Sequence, residues 1–152
     1  MTTRTLLLTL HIAAVAGWLG ANFVQMVLSP RFAKEPAESA VAWTRHTMWL
    51  GQRYYVAMGA IIPVTGVLLV LDGDWSWESG FIWVGVSAVV IGAVMGSTVF
   101  AKLAERRVAA LEGGDAPGAA ALLSRTLGFA VLDTLIVLTA VLAMVHKWKT
   151  GS

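Results

Sequence analysis

The sequence predicts an all-α fold, a bundle of four membrane-crossing helices with both termini on one side and two longer loops on the other. Three observations predict it. Apolar residues make up 57% of the 152 and charged residues only 13%, and mean hydropathy is +0.73, which a water-soluble domain does not reach. Four apolar stretches, 5–28, 49–71, 81–101 and 127–145, each match the ~20 residues that cross a bilayer core as a helix. Lys and Arg then divide unevenly between the two sides. Arg31, Lys34, Arg45, Arg53, Lys102, Arg106, Arg107 and Arg125 fall in or at the flanks of the loops between stretches one and two or three and four, against Arg4, Lys147 and Lys149 on the opposite side beside the acidic turn of Asp72, Asp74 and Glu78. Positive charge marks the cytoplasmic side, so both termini are expected outside. The four stretches take up most of the chain, leaving one integral membrane domain over 1–150; Gly151-Ser152 reads as a leftover of expression.

The first stretch, TLLLTLHIAAVAGWLGANFVQMVL, is too long and too polar at His11, Asn22 and Gln25 for a cleaved signal, and is expected to remain as a helix. At 100° per residue His11, Trp18, Asn22 and Gln25 share an arc of about 60°. Polar groups in hydrocarbon need partners, so this stripe should face other helices. Pro30 is expected to end the helix. The segment 31–46 follows, mixed in charge, with Lys34, Glu35 and Glu38 on a solvated face, a short interfacial helix, and Trp43 and Trp49 at the headgroup boundary.

The second stretch carries Arg53 about one turn inside its end and Pro63 in mid-helix, where a kink is expected. Trp75, Trp77 and Trp83 form an aromatic belt before the third stretch. Along one side of that stretch lie Gly85, Ala88, Gly92 and Gly96, the last two a GxxxG, with a matching small ridge of Ala13, Gly17 and Ala21 in the first. Such ridges let backbones approach, within the chain or between copies. The third helix should continue through KLAERRVAALE, projecting Glu105, Arg106 and Arg107, to a break at Gly113-Gly114; a short Ala/Leu-rich helix then precedes the fourth stretch. That stretch holds the one acid deep in an apolar run, Asp133, and ends in His146, Lys147, Trp148 and Lys149, a snorkelling terminus.

Two polar layers follow from depth. At 1.5 Å per residue, Asn22, Arg53, Ser97 and Asp133 each sit roughly 6–9 Å from the basic ends of their helices, flanked by Gln25, Gln52 and Thr98. Arg and Asp in the membrane should pair, giving an Arg53–Asp133 ion pair bonded to Asn22 or Gln25. That pair is a clasp fixing helix register, or a proton or ion relay, or an anion site centred on Arg53. Near the opposite surface, His11 and His146 reach nearly the same level from different helices. Two such histidines can ligate haem, and Met144 can serve copper; equally, a lone His needs only a neighbouring carbonyl, and His146 beside Lys147 reads as interfacial. His46, beside Arg45, reads as a surface residue.

Several classes are excluded. With no cysteine there is no disulfide, thiolate metal site or thiol nucleophile. No basic face interleaved with aromatics offers a nucleic-acid surface. Ser and Thr lack a paired base, no two carboxylates approach, and no glycine loop cradles phosphate.

The opening LHIAAVAGWLGANFVQMVLSPRF resembles the first helix of small four-helix membrane proteins of the CopD-like and HemJ-like (protoporphyrinogen oxidase type) group, with its Leu-His start, Trp18-Leu19-Gly20 and a basic residue at the inner boundary. Pro63 followed by Thr65-Gly66-Val67-Leu68-Leu69 is similar to the second helix of that group, as is a third helix running into a charged, Ala-rich segment. The resemblance implies that His11 binds haem b or copper with Trp18 packing its pocket. It further implies that Arg53 is functional, in a HemJ-like enzyme as a carboxylate partner during oxidation of a porphyrinogen. The expected partners are the lipid bilayer and further copies or a larger membrane complex, with no nucleic acid, in a bacterial inner membrane. The competing expectations are a non-catalytic small subunit of a larger complex and a small transporter with Asp133 as its proton site.

Overall fold

The computed structural model describes residues 2–73 and 75–146. The expectations for Asp74, Lys147, Trp148, Lys149 and Gly151-Ser152 lie outside the described residues. Four helices, α1 (Thr3–Phe32), α2 (Ala37–Leu71), α3 (Gly80–Glu112) and α4 (Ala116–His146), are each long and apolar enough to cross a membrane, and they make this an integral membrane protein. Among the described residues there is no strand.

Each helix outruns the apolar stretch that announced it. α1 does not stop at Pro30; it carries the proline inside its last turn and ends at Phe32. So close to a helix end, proline removes one hydrogen bond that few later residues depend on. Tertiary ties hold that turn: Ser29 Oγ accepts from Trp43 Nε1 at 2.9 Å, and Phe32 stacks on Trp43 with centroids 4.7 Å apart. The expected interfacial helix is fused to the second span as the first part of α2. The Ala/Leu-rich segment is likewise the first turns of α4, not a separate helix. Gly114, at φ 75°, makes the turn between α3 and α4, a backbone region that glycine enters without strain. Asp115 Oδ1 accepts from Gly118 N at 2.9 Å, capping the new helix.

Two of the helices change pitch. α2 is π-helical over Gly51–Tyr55 and α3 over Met95–Phe100. A π turn accommodates an extra residue and rotates the faces beyond it. In α2 this leaves Gln52 and Arg53 exposed and draws Tyr54 and Tyr55 partly inside.

α1 packs on α2 and on α4, and α4 packs on α3. α2 and α3 meet only thinly in their apolar halves but closely between 37–50 and 101–112. There Arg107, expected to project, is buried instead, its Nη1 donating to Thr44 Oγ1 at 3.0 Å. Arg45 and Glu112 form an exposed ion pair at 2.6 Å beside it.

Small and polar residues share the interior with a few large apolar ones. Ala14, Ala88, Ala140 and Ala143 are buried with His11, Asn22, Asp133 and Thr134, beside Trp18, Ile62, Ile82 and Met95, while Ile12, Val27, Val64, Val94, Leu135 and Val145 lie exposed. Many large apolar side chains facing out and small or polar ones facing in is the partition of a bundle dissolved in hydrocarbon. The two small ridges do not face each other. Gly17 lies against Tyr54 and Met58 of α2; Gly92 lies against Trp18 and Asp133, and Gly96 meets nothing within 4 Å.

Candidate functional site

Asp133 stands at the centre of the bundle's polar interior. It is 4% exposed, and one carboxylate oxygen, Oδ2, accepts from Trp18 Nε1 at 3.1 Å and Asn22 Nδ2 at 2.8 Å. Asn22 Nδ2 also reaches Thr134 Oγ1 at 3.2 Å. The Asn22 carbonyl accepts from Tyr55 Oη at 2.6 Å, and Tyr55 Oη accepts from Gln25 Nε2 at 2.8 Å. Trp18 and Tyr55 meet edge to face at 5.1 Å. The second oxygen, Oδ1, has no donor among the described residues and lies near Gly92, where a Cβ would stand 3.5 Å from it. Glycine there is what lets the indole and the carboxylate come up against α3.

The network joins α1, α2 and α4 with neutral donors only. The expected Arg53–Asp133 ion pair does not form. Arg53 is exposed, and the one ion pair among the described residues is Arg45–Glu112. The π turn gives the inward position to Tyr55, and a long guanidinium that close to the headgroups reaches them at lower cost than a buried pair. Of the other residues expected at this level, Gln52 is exposed. Ser97 and Thr98 are exposed too, and their hydroxyls donate to Ala93 and Val94 carbonyls of their own helix.

His11 forms a second, separate cluster. It is 7% exposed, with Nδ1 at 3.1 Å from the Ile62 carbonyl and 2.9 Å from Thr65 Oγ1. The Ile62 oxygen can only accept, and the Thr65 hydroxyl already donates to Ile61 O at 2.6 Å. Nδ1 therefore carries a proton, which leaves Nε2 as the ring nitrogen that can offer a lone pair. Nε2 has no hydrogen-bond partner among the described residues. It is not sealed in either, since the only enclosed, unpartnered side-chain nitrogen or oxygen among the described residues is Arg107 Nε. Gly66 makes room for the ring, a Cβ there standing 3.4 Å from His11 Cε1.

His146 is exposed at the end of α4 and bonds to nothing in the His11 cluster. Met144 turns inward and, with Trp18, Ile62 and Gly85, bounds an apolar cavity of about 40 Å³. No group of three or more His, Asp or Glu converges among the described residues.

Spacing alone had placed His11, Trp18, Asn22 and Gln25 on one face. It missed Tyr55, Thr65 and Thr134. Thr134 adjoins Asp133, and a buried acid's neighbours are natural donors; Thr65 follows the mid-helix proline, so both had a local signal. Tyr55 had none, because its direction depends on the π turn. Compared with protein-family models, with curated proteins and with solved structures, the chain matches none.

Proposed function

We propose that this integral membrane protein holds haem b, or a copper ion, through His11, in a redox or metal-handling role like that of the CopD/HemJ-like group. The observation that carries the reading is the His11 ring itself. Its Nδ1–H is committed to the Ile62 carbonyl and Thr65, and its Nε2 lone pair is left without a partner. Metal-binding histidines are oriented in this way, the second nitrogen fixing tautomer and ring plane.

The residues fit a group held by one protein ligand better than an ion caged by several, since no group of three or more His, Asp or Glu gathers among the described residues and His146 stands apart. The 40 Å³ cavity beside Trp18 and Met144 holds a water, not a macrocycle, so a porphyrin belongs at the bundle surface reached by Nε2. When bound there, haem b supplies one-electron exchange. His11 holds the ligand, Ile62 and Thr65 hold His11, and Trp18 closes the apolar wall behind it. Arg53, exposed near the basic end, remains free to meet a substrate carboxylate there. A bacterial inner membrane, both termini outside, and an assembly of copies complete the reading.

The test is an absorption spectrum of the detergent-purified protein, oxidised and then dithionite-reduced, with metal analysis of the same sample. A Soret band with sharpened α/β bands on reduction is expected, lost in His11→Ala and with affinity lowered about tenfold in Thr65→Val. A colourless, metal-free sample from haem-supplied cells sinks the reading and leaves a small subunit that packs its apolar faces against a larger complex.

A further inference from the structure

Arg107 is a buried cation that forms no ion pair among the described residues. It is 5% exposed, and its Nη1 donates to Thr44 Oγ1 at 3.0 Å. Thr44, 2% exposed, spends its own proton on the Ala40 carbonyl at 2.7 Å, so its oxygen is a fixed acceptor. Nε is enclosed and has no partner. Nη2 has none either, yet it is not enclosed; that edge of the guanidinium is the one open to the outside.

Among the described residues no carboxylate pairs with it. One turn away on α3 stand Leu103, Ala104, Ala110 and Leu111. Thr44's neighbours on α2 are Ala40, Val41, Thr47 and Met48, and the buried residues of the first turns of α4 are Ala119 and Leu123. Glu112, the nearest acid along α3 towards its end, is taken by Arg45. A guanidinium does not shed its proton, so an unpaired one is costly to hold in a low-dielectric site. The unenclosed Nη2 edge is where an anion from outside the chain can reach the charge.

Its position says what kind of anion reaches it. Arg107 lies six residues past Ala101, about 9 Å beyond the apolar run, at the level of the headgroup layer that flanks the hydrocarbon core. Lys102 and Arg106, exposed on the same helix, add to the positive field there. A planar fork anchored on one nitrogen and open on another suits phosphate oxygens. We propose that Arg107 anchors a binding site for a phosphate-bearing anion, an anionic lipid headgroup or free phosphate, at the junction of α2, α3 and α4.

The full-length protein is reconstituted in nanodiscs of phosphatidylcholine with a minority of phosphatidylglycerol, and lipids retained after release are counted by native mass spectrometry. In parallel, thermal unfolding in detergent is followed with sodium phosphate against sodium chloride at equal ionic strength. The wild type is expected to retain phosphatidylglycerol preferentially. Arg107→Gln loses that preference about tenfold, the scale of one charge-assisted hydrogen bond, Arg107→Lys keeps part of it, and the milder Thr44→Val weakens it. Stabilisation by phosphate without lipid preference, lost in Arg107→Gln, supports the site and assigns it to the free anion. A wild type that shows neither lipid preference nor phosphate stabilisation overturns the proposal, whether or not Arg107→Gln folds. So does an Arg107→Gln protein that keeps both.

Discussion

A buried acid normally recruits a cation, and Asp133 has recruited an indole and an amide. Both are neutral, so the carboxylate is held in place without being charge-balanced by the chain. An acid buried in a membrane-spanning helix is the basis of the transporter reading. Asp133→Asn is the informative change, since asparagine keeps an acceptor for Trp18 and Asn22 in the same volume. It should leave the fold intact, while Asp133→Leu strands two donors and costs about 2–5 kcal/mol. Unfolding in detergent measures the difference. Proton-driven flux in proteoliposomes that disappears in Asp133→Asn would make the acid a transport site; unchanged behaviour would make it a clasp. At this scale the sequence was readable along α1, which keeps its 3.6-residue period, and less so at Arg107, whose burial depends on Thr44 of another helix. His11, Trp18 and Asn22 follow that period and are buried together; Arg53 lies in a segment that breaks it and faces out.

Helix–helix approach is decided by single glycines. Gly85 and Gly92 are buried against Met144 and against Trp18 with Asp133, whereas Gly96 has open space around it. In Gly92→Leu a Cβ would already sit 3.1 Å from the Trp18 ring, so overpacking should cost about 1–3 kcal/mol and shift the Trp18 fluorescence. Gly96→Leu should cost far less. Equal losses at both positions, measured by unfolding in the same detergent, would contradict this packing. The GxxxG motif predicted a close approach without naming which glycine makes it or what it meets. The element ends were less legible still, because Pro30 and the polar starts of α2 and α4 are held helical by contacts such as Trp43–Ser29 that no local pattern encodes.

Across the whole molecule, the order of helices is a path from α2 through α1 and α4 to α3, closed between α2 and α3 chiefly at the basic end. Hydropathy could count the helices but could not order them, since a stripe says that a face is buried and not by whom. The thin contact in the apolar halves predicts unequal mobility. Spin labels at Val64 and Val86 should give a broader distance distribution than labels at Arg45 and Arg106, by double electron–electron resonance in nanodiscs. The reverse ranking would mean that the α2–α3 gap is filled, by a partner helix or a ligand.

The two π turns have a consequence of their own. Each shifts the phase of its helix between the apolar half and the extension, so the residues that look inward below the shift are not in register with those above it. The protein is in effect two bundles stacked on shared helices, one gathered around Asp133 and the other around Arg107. With no partner in common, the two storeys can be altered one at a time, and the energetic effects of changes in them should simply add.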